Sequence, residues 1–214
     1  MSPVVKICGM RESENIMAVA ELKPDILGFI FYQQSPRYAG ELLNPEILSD
    51  LPPYIRKAGV FVNAGFNEIT ETVEKFSLDI VQLHGDEQPE LCRRLKDTGL
   101  QVIKVFNKKD DAGFTICTDF IACTDYFLFD TKTENYGGSG QKFGWNTLDR
   151  YDSGHFFFLS GGISPMDIDN IMGITNPFLY GIDLNSRFEI KPGLKDIEKL
   201  KIFINELRLK NKLL

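Results

Sequence analysis

The stretch Val4-Val5-Lys6-Ile7-Cys8-Gly9 decides the reading of the fold. A mostly β-branched run between Pro3 and Gly9 reads as a short buried strand. A strand that ends in Cys-Gly holds its thiol at a rim, where glycine lets the backbone turn sharply. Seven further apolar runs look like its partners: residues 26–31, 57–62, 79–83, 101–106, 126–129, 155–159 and 178–184.

Helical patterning fills the intervals. Residues 11–22 place Ile16, Val19, Ala20 and Lys23 on one side, the lysine stem closing that face. Residues 45–51, 66–76 and 88–97 read as helices, the last stopped at Gly99. Ser164-Pro165-Met166-Asp167 is a helix start, with a capping serine, proline in the first turn and an acid three residues after the cap. Residues 194–209 carry Ile197, Leu200, Ile204 and Leu207 on one stripe. Short helices are also expected at 112–117 and 145–151, and the loop 131–142 contains Gly137-Gly138-Ser139-Gly140.

Eight strands alternating with helices imply a parallel sheet with crossover connections. The strand starts recur every 22 to 31 residues, roughly the repeat of a closed (β/α)8 TIM barrel, whose length is about 200 residues and upward. An open doubly wound sheet would carry Gly-x-Gly-x-x-Gly after its first strand, and here that turn reads Cys8-Gly9-Met10-Arg11-Glu12-Ser13. No linker or break in composition appears, so residues 1–214 read as a single α/β domain.

Composition narrows the function. With 43% hydrophobic and 25% charged residues the chain is ordinarily globular, so disorder is not expected. A net charge of −6 argues against a general nucleic-acid binder, while leaving room for a local basic pocket for a small anion. No apolar run approaches the roughly 18 residues a membrane helix needs, and no secretory signal is seen. The four cysteines (8, 92, 117 and 123) form no Cys-x-x-Cys, so reduced thiols in a cytoplasm are expected. His84 and His155 lie far apart and form no metal cluster with cysteine, so no metal is expected.

In barrels of this kind chemistry sits at the C-terminal ends of the strands. That rule selects Cys8, Arg37, Gln82, His84, Asp130, Gly161, Gly162, Asp183, Asn185 and Ser186. A thiol and a carboxylate suit base and acid. Glycine-rich turns after the last two strands offer backbone N–H groups that suit a phosphate. An arginine in a loop suits a second anion.

Several motifs stand in the order found in the phosphoribosylanthranilate isomerase family, which the chain resembles over almost its whole length. They are Lys6-Ile7-Cys8-Gly9, Ser35-Pro36-Arg37-Tyr38, Gly59-Val60-Phe61-Val62-Asn63, Gln82-Leu83-His84-Gly85-Asp86-Glu87, Gly137-Gly138-Ser139-Gly140 and Leu159-Ser160-Gly161-Gly162. The tail Gly181-Ile182-Asp183 … Ser186 … Glu189 … Pro192-Gly193-Leu194-Lys195-Asp196 follows in order. The resemblance implies a cofactor-free Amadori rearrangement in tryptophan biosynthesis, with Asp130 as general acid and Cys8 as general base. It implies that Arg37 pairs with the anthranilate carboxylate and that Gly161, Gly162 and Ser186 hold the sugar phosphate. The loop around Gly138 would be a lid or part of that cradle, and Asp183 and Asn185 would line the pocket. Such chemistry asks Cys8 to be shifted below the ordinary thiol pKa of about 8.5 or deprotonated on demand. It asks Asp130 to be shifted up, by partial burial against Phe127 and Phe129. The chain departs from the family at Arg187, which stands in place of a glycine, and at Gly144, in place of an aspartate.

Plainer readings stand beside these. Cysteine is often a small buried hydrophobe, the reading kept for Cys92, Cys117 and Cys123. Asp130 as a turn cap, Arg37 as a solvated surface residue, His84 as structural and Asp167 as a helix cap are the corresponding readings. Residues 156–158 read as core. Two other functions share the barrel. A Schiff-base aldolase needs a lysine at a strand end, whereas Lys6 and Lys104 lie inside their strands, and a metal-dependent epimerase needs a His and acid cluster. A non-catalytic phosphosugar-binding protein would not need both Cys8 and Asp130. The expected partner is a small phosphosugar, with no nucleic acid or membrane, and the chain is expected as a monomer or homodimer.

Overall fold

β-Branched and aromatic residues dominate the short runs, and parallel pairing buries them on both faces. In a computed structural model that describes residues 3–107, 117–130, 145, 148 and 151–211, eight strands pair in chain order into a closed barrel. They are β1 (Val4–Cys8), β2 (Ile26–Ile30), β3 (Arg56–Phe61), β4 (Ile80–Leu83), β5 (Gln101–Asn107), β6 (Tyr126–Asp130), β7 (Phe157–Ser160) and β8 (Leu179–Leu184). Every neighbouring pair is parallel, and β8 returns to β1.

The two-residue alternation of a strand divides the core in two. Ile26, Ala58, Ile80, Ile103, Val105, Leu128 and Phe158 form a compact cluster of their own. The alternate positions, among them Val5, Ile7, Leu27, Phe29, Val81, Leu83, Phe127, Phe129, Phe157, Leu159, Ile182 and Leu184, join the cluster that packs beneath the helices. Those helices are α1 (Ser13–Ala20), α2 (Pro45–Ser49), α3 (Phe66–Phe76), α4 (Pro89–Asp97), α5 (Ile168–Met172) and α6 (Ile197–Asn211). Asn44 caps α2 by accepting a hydrogen bond from Glu46 N. The Ser164 start also forms as read: Ser164 N and Oγ both donate to the Asp167 carboxylate, at 2.8 and 2.7 Å.

Three expectations need correction. Phe156 is 48% exposed, because β7 begins one residue later and its ring leans on Phe178 and Tyr180 ahead of the sheet. The last helix starts at Ile197 rather than 194. Leu194–Lys195 instead pairs antiparallel with Glu189–Lys191 as a small hairpin, β9 (Glu189–Lys191) and β10 (Leu194–Lys195). Asn15 on α1 holds the second strand of that hairpin, bonding both Lys195 N and Lys195 O at 2.8 and 3.0 Å. Asp196 then accepts from Lys199 N at 3.0 Å, an acidic cap that starts α6. Finally, a 3-10 helix at Cys117–Cys123 was not anticipated. The helix expected at 112–117 lies, Cys117 apart, outside the described residues, as do the loop 131–142 with Gly138 and most of 145–151. Among the described residues no helix is long and apolar enough to cross a membrane.

Candidate active site

Parallel strands bring their C-terminal ends to one rim, and the residues selected from the sequence collect there by construction. Cys8 ends β1, Asp130 ends β6, Gln82 and His84 stand at the end of β4, and Asp183 lies near the end of β8. Arg37 lies in the loop after β2, joined to the barrel where Ile30 bridges Tyr38. Gly161 and Gly162 follow β7, and Asn185 and Ser186 follow β8.

The register of β1 explains what surrounds Cys8. Lys6 and Cys8, two positions apart, share one face of the strand. Lys6 is in register with Asp183 on β8, and Cys8 with Gly28 on β2. The Lys6 ammonium, 0% exposed, pairs with Asp183 Oδ1 at 2.8 Å. The Ser160 hydroxyl donates to Asp183 Oδ2 at 3.4 Å. Gly28 makes this crowding possible: a Cβ there would stand 2.9 Å from Cys8 Sγ and 3.2 Å from Lys6 Nζ. Burial opposes the Lys6 charge, but Asp183 and Cys8 outweigh it and hold its pKa above the ordinary lysine value. For Cys8, burial pushes the thiol pKa up, and the lowering influence of Lys6 and Lys195 does not overcome it. Of the two alternatives, a thiol lowered in advance or one deprotonated on demand, the first does not hold: full desolvation costs the thiolate more than its two cations return, and Asp183 adds to that cost.

A second cluster lies beside the first. Glu189, which opens β9, accepts from Arg37 Nε at 2.9 and 3.0 Å and from Arg37 Nη2 at 2.6 Å. It also accepts from Lys195 Nζ at 2.8 Å and Gly193 N at 3.1 Å. Lys195 Nζ reaches Asn185 Oδ1 at 2.8 Å as well. Burial raises the Glu189 pKa, yet the bonds from Arg37 and the charge of Lys195 prevail and hold it below the ordinary carboxylate range. The Lys195 pKa is lowered, burial leading and Glu189 opposing. Gly9, at φ +78°, closes the arrangement: a Cβ there would stand 2.8 Å from both Arg37 Cδ and Asn185 Oδ1. Glycine is needed here for both backbone and space.

Across the rim, His84 Nε2 stands 3.9 Å from Asp130 Oδ2. Burial lowers the His84 pKa despite the nearby carboxylates, so the ring is neutral at pH 7. Gln82 is buried, and its Oε1 has no hydrogen-bond partner among the described residues. Gly161 and Gly162 are both left-handed, with φ of +99° and +72°. At Gly162 a Cβ would meet nothing within 4 Å, so the dihedral alone calls for glycine. Ser186 opens a single 3-10 turn, Ser186–Phe188, and with Arg187 faces solvent. Gly138 lies outside the described residues. Sequence reasoning gave no role to Lys6, Glu189 or Lys195. All three stand within the quoted motifs, and a buried charge inside an apolar strand was the available signal for Lys6.

A closed parallel barrel that gathers its ionisable side chains at one rim belongs among the (β/α)8-barrel enzymes, which work at that rim. The profile of the family described as N-(5'phosphoribosyl)anthranilate (PRA) isomerase matches residues 5–206. The chain is 44% identical over 207 residues to the N-(5'-phosphoribosyl)anthranilate isomerase of Parabacteroides distasonis, the match covering 95% of this chain and 93% of the relative. Among solved structures, phosphoribosyl anthranilate isomerase from Thermotoga maritima is similar at a TM-score of 0.82 and 34% identity, covering 96% of this chain and 98% of that one. A phosphoribosyl anthranilate isomerase in complex with reduced 1-(o-carboxyphenylamino)-1-deoxyribulose 5-phosphate is similar at 0.79 and 30%, with the same coverage. The chain belongs to the PRA isomerase family.

Proposed function

We propose that this protein converts N-(5'-phosphoribosyl)anthranilate into 1-(2-carboxyphenylamino)-1-deoxyribulose 5-phosphate, the isomerisation of tryptophan biosynthesis, using residues 1–214 as one barrel domain. The observation that carries the reading is the family match across residues 5–206, with a thiol and a carboxylate at the matching strand ends. The reaction moves hydrogen within one molecule and is redox-neutral, so acid–base groups suffice for it.

In the first step Asp130 gives its proton to the furanose ring oxygen while the anthranilate nitrogen pushes its lone pair towards C1. The C1–O bond breaks and a protonated Schiff base forms. Cys8, as thiolate, then removes the proton from C2, and the C2–H electron pair becomes the C1–C2 double bond of an enolamine. Protonation at C1 and loss of the proton on the C2 hydroxyl give the ketone. Because burial keeps the Cys8 thiol protonated in the free protein, it gives up its proton to solvent once the Schiff base has formed, before it acts on C2. Arg37 takes the anthranilate carboxylate. Gly161, Gly162, Ser186 and the loop around Gly138 hold the phosphate, and Asp183 and Asn185 line the pocket through Lys6 and Lys195. The protein works in a cytoplasm as a monomer or homodimer. Its structural neighbours include monomers generated from the dimeric Thermotoga maritima enzyme.

The test is decay of anthranilate fluorescence with substrate generated in situ, for wild type, Cys8→Ser and Asp130→Asn. Each variant is expected to lose at least about a hundredfold, the scale of a general acid or base. An active Cys8→Ser would keep the isomerase and remove the assigned base. An inert wild type that still binds the reduced product analogue would replace the enzyme by a binding protein.

A further inference from the structure

Arg37 is not a loose surface arginine. Its Nε–Nη2 edge is occupied by Glu189, and Glu189, 4% exposed on its side chain, is itself held by Lys195 and Gly193 N. A guanidinium is planar and rigid, so tethering one edge sets the plane and direction of the other. Nη1 makes no hydrogen bond among the described residues, which leaves the Nη1–Nη2 edge as the fork for an incoming carboxylate. The stem lies over Gly9, the residue after Cys8. The guanidinium is close enough to Cys8 for their charges to interact.

The charge count points the same way. Arg37 and Lys195 bring two positive charges and Glu189 one negative, so the cluster carries a surplus of one. A single planar anion neutralises it. A neutral aryl group would leave the surplus standing in a half-buried site.

We propose that Glu189 is the positioning residue that makes this protein select an N-aryl ribosyl phosphate bearing a carboxylate on the ring, by tethering one edge of Arg37 so that the Nη1–Nη2 edge is held in one orientation for that carboxylate. The inference rests on Arg37 being the carboxylate-binding group.

The experiment compares kcat/KM for two substrates made in situ from ribose 5-phosphate, one with anthranilate and one with aniline. Wild type is expected to favour the carboxylated substrate by about 10- to 100-fold, the range of a charge-assisted pair. Glu189→Gln is expected to lose most of that preference, through a higher KM for the carboxylated substrate more than through kcat. Glu189→Asp is expected to fall between the two. The double variant Glu189→Gln/Lys195→Met keeps the net charge of the cluster while removing the tether, and is expected to lose the preference as well. Arg37→Gln is the control. Preference lost in Arg37→Gln but kept in Glu189→Gln, or in the double variant, overturns the role of Glu189 and leaves Arg37 standing. Preference kept in Arg37→Gln overturns the assignment of Arg37 and the inference with it. An equal fall on both substrates in Glu189→Gln and the double variant reduces Glu189 to a structural residue and overturns the proposal.

Discussion

Lys6→Met tests whether the buried pair beneath Cys8 matters to the fold. The ammonium and Asp183 Oδ1 are 2.8 Å apart, with side-chain exposures of 0% and 6%. Methionine fills nearly the same volume, so the change deletes charge more than packing. What remains is a buried carboxylate whose hydrogen bond among the described residues is Ser160 Oγ at 3.4 Å. Breaking one partner of such a pair costs about 3–5 kcal/mol, because the remaining charge is uncompensated. For a chain of this size that lowers Tm by about 6–20 °C. The double variant Lys6→Met/Asp183→Leu removes both charges and is expected to recover most of the loss, since an ion pair and a packed apolar pair are near equal in stability. Neither variant is expected to recover activity, because Lys6 is a cation close to Cys8 and Asp183 sits at the same rim. Thermal and urea unfolding of wild type, both single variants and the double give the coupling energy directly. A Lys6→Met protein within about 1 kcal/mol of wild type, or a double variant whose loss equals the sum of the singles, would refute the reasoning.

Two further outcomes are expected. Gly28→Ala places a methyl 2.9 Å from Cys8 Sγ and 3.1 Å from Cys8 Cα, the latter backbone that cannot rotate away. It should cost about 1–3 kcal/mol of stability by overpacking and lower kcat at least about tenfold by displacing the thiol, read by urea melts and the fluorescence assay. Stability should also decline in alkali. Burial pushes the Cys92 and Cys117 thiols up to about 12 and raises Cys8 and Cys123 as well. The unfolded chain therefore gives up these protons from about pH 8.5 while the folded chain keeps them, so stability falls as pH rises above that value. Urea midpoints between pH 7 and 10 for wild type and Cys92→Ala/Cys117→Ala check this, the variant showing the shallower decline.

Much of the barrel was legible because each strand is a short apolar run bounded by turn residues, a pattern that needs only local information. The same holds for Phe66–Phe76, whose ends were read from the sequence as they stand. The places where reading failed are those where a distant residue decides. Leu194 and Lys195 continue a helical stripe, yet Asn15, 180 positions away in sequence, claims the Lys195 backbone and holds it extended. Phe156 looks like its two neighbours, but strand register leaves it ahead of the sheet. The site divides in the same way. Cys8, Arg37 and Asp130 stand at strand ends or in a loop next to turns and are visible from position. Glu189 and Lys195 have meaning only once the hairpin folds over Arg37, and the partner of the Lys6 charge is seen only once β8 lies beside β1.

With the Cys8 thiol raised by burial, the proposed mechanism places the acid step before the base step. In the free protein Lys6 is neutralised by Asp183, and of the cations near Sγ, Lys195 and Arg37 share Glu189. Among the described residues the cations near Sγ do not offset its desolvation, and the thiol stays protonated. The substrate carboxylate consumes the remaining surplus at Arg37, which by itself makes the thiolate harder to form. Ring opening reverses the balance. When Asp130 protonates the ring oxygen, the positive charge of the Schiff base develops on C1 and nitrogen, next to the carbon whose proton is to leave. That charge acidifies C2–H and stabilises a thiolate facing it. A thiol lowered in advance would be a nucleophile exposed to every electrophilic sugar that entered the barrel. A thiol that ionises only opposite an iminium acts as a base on the opened substrate alone, so the acid step gates the base step.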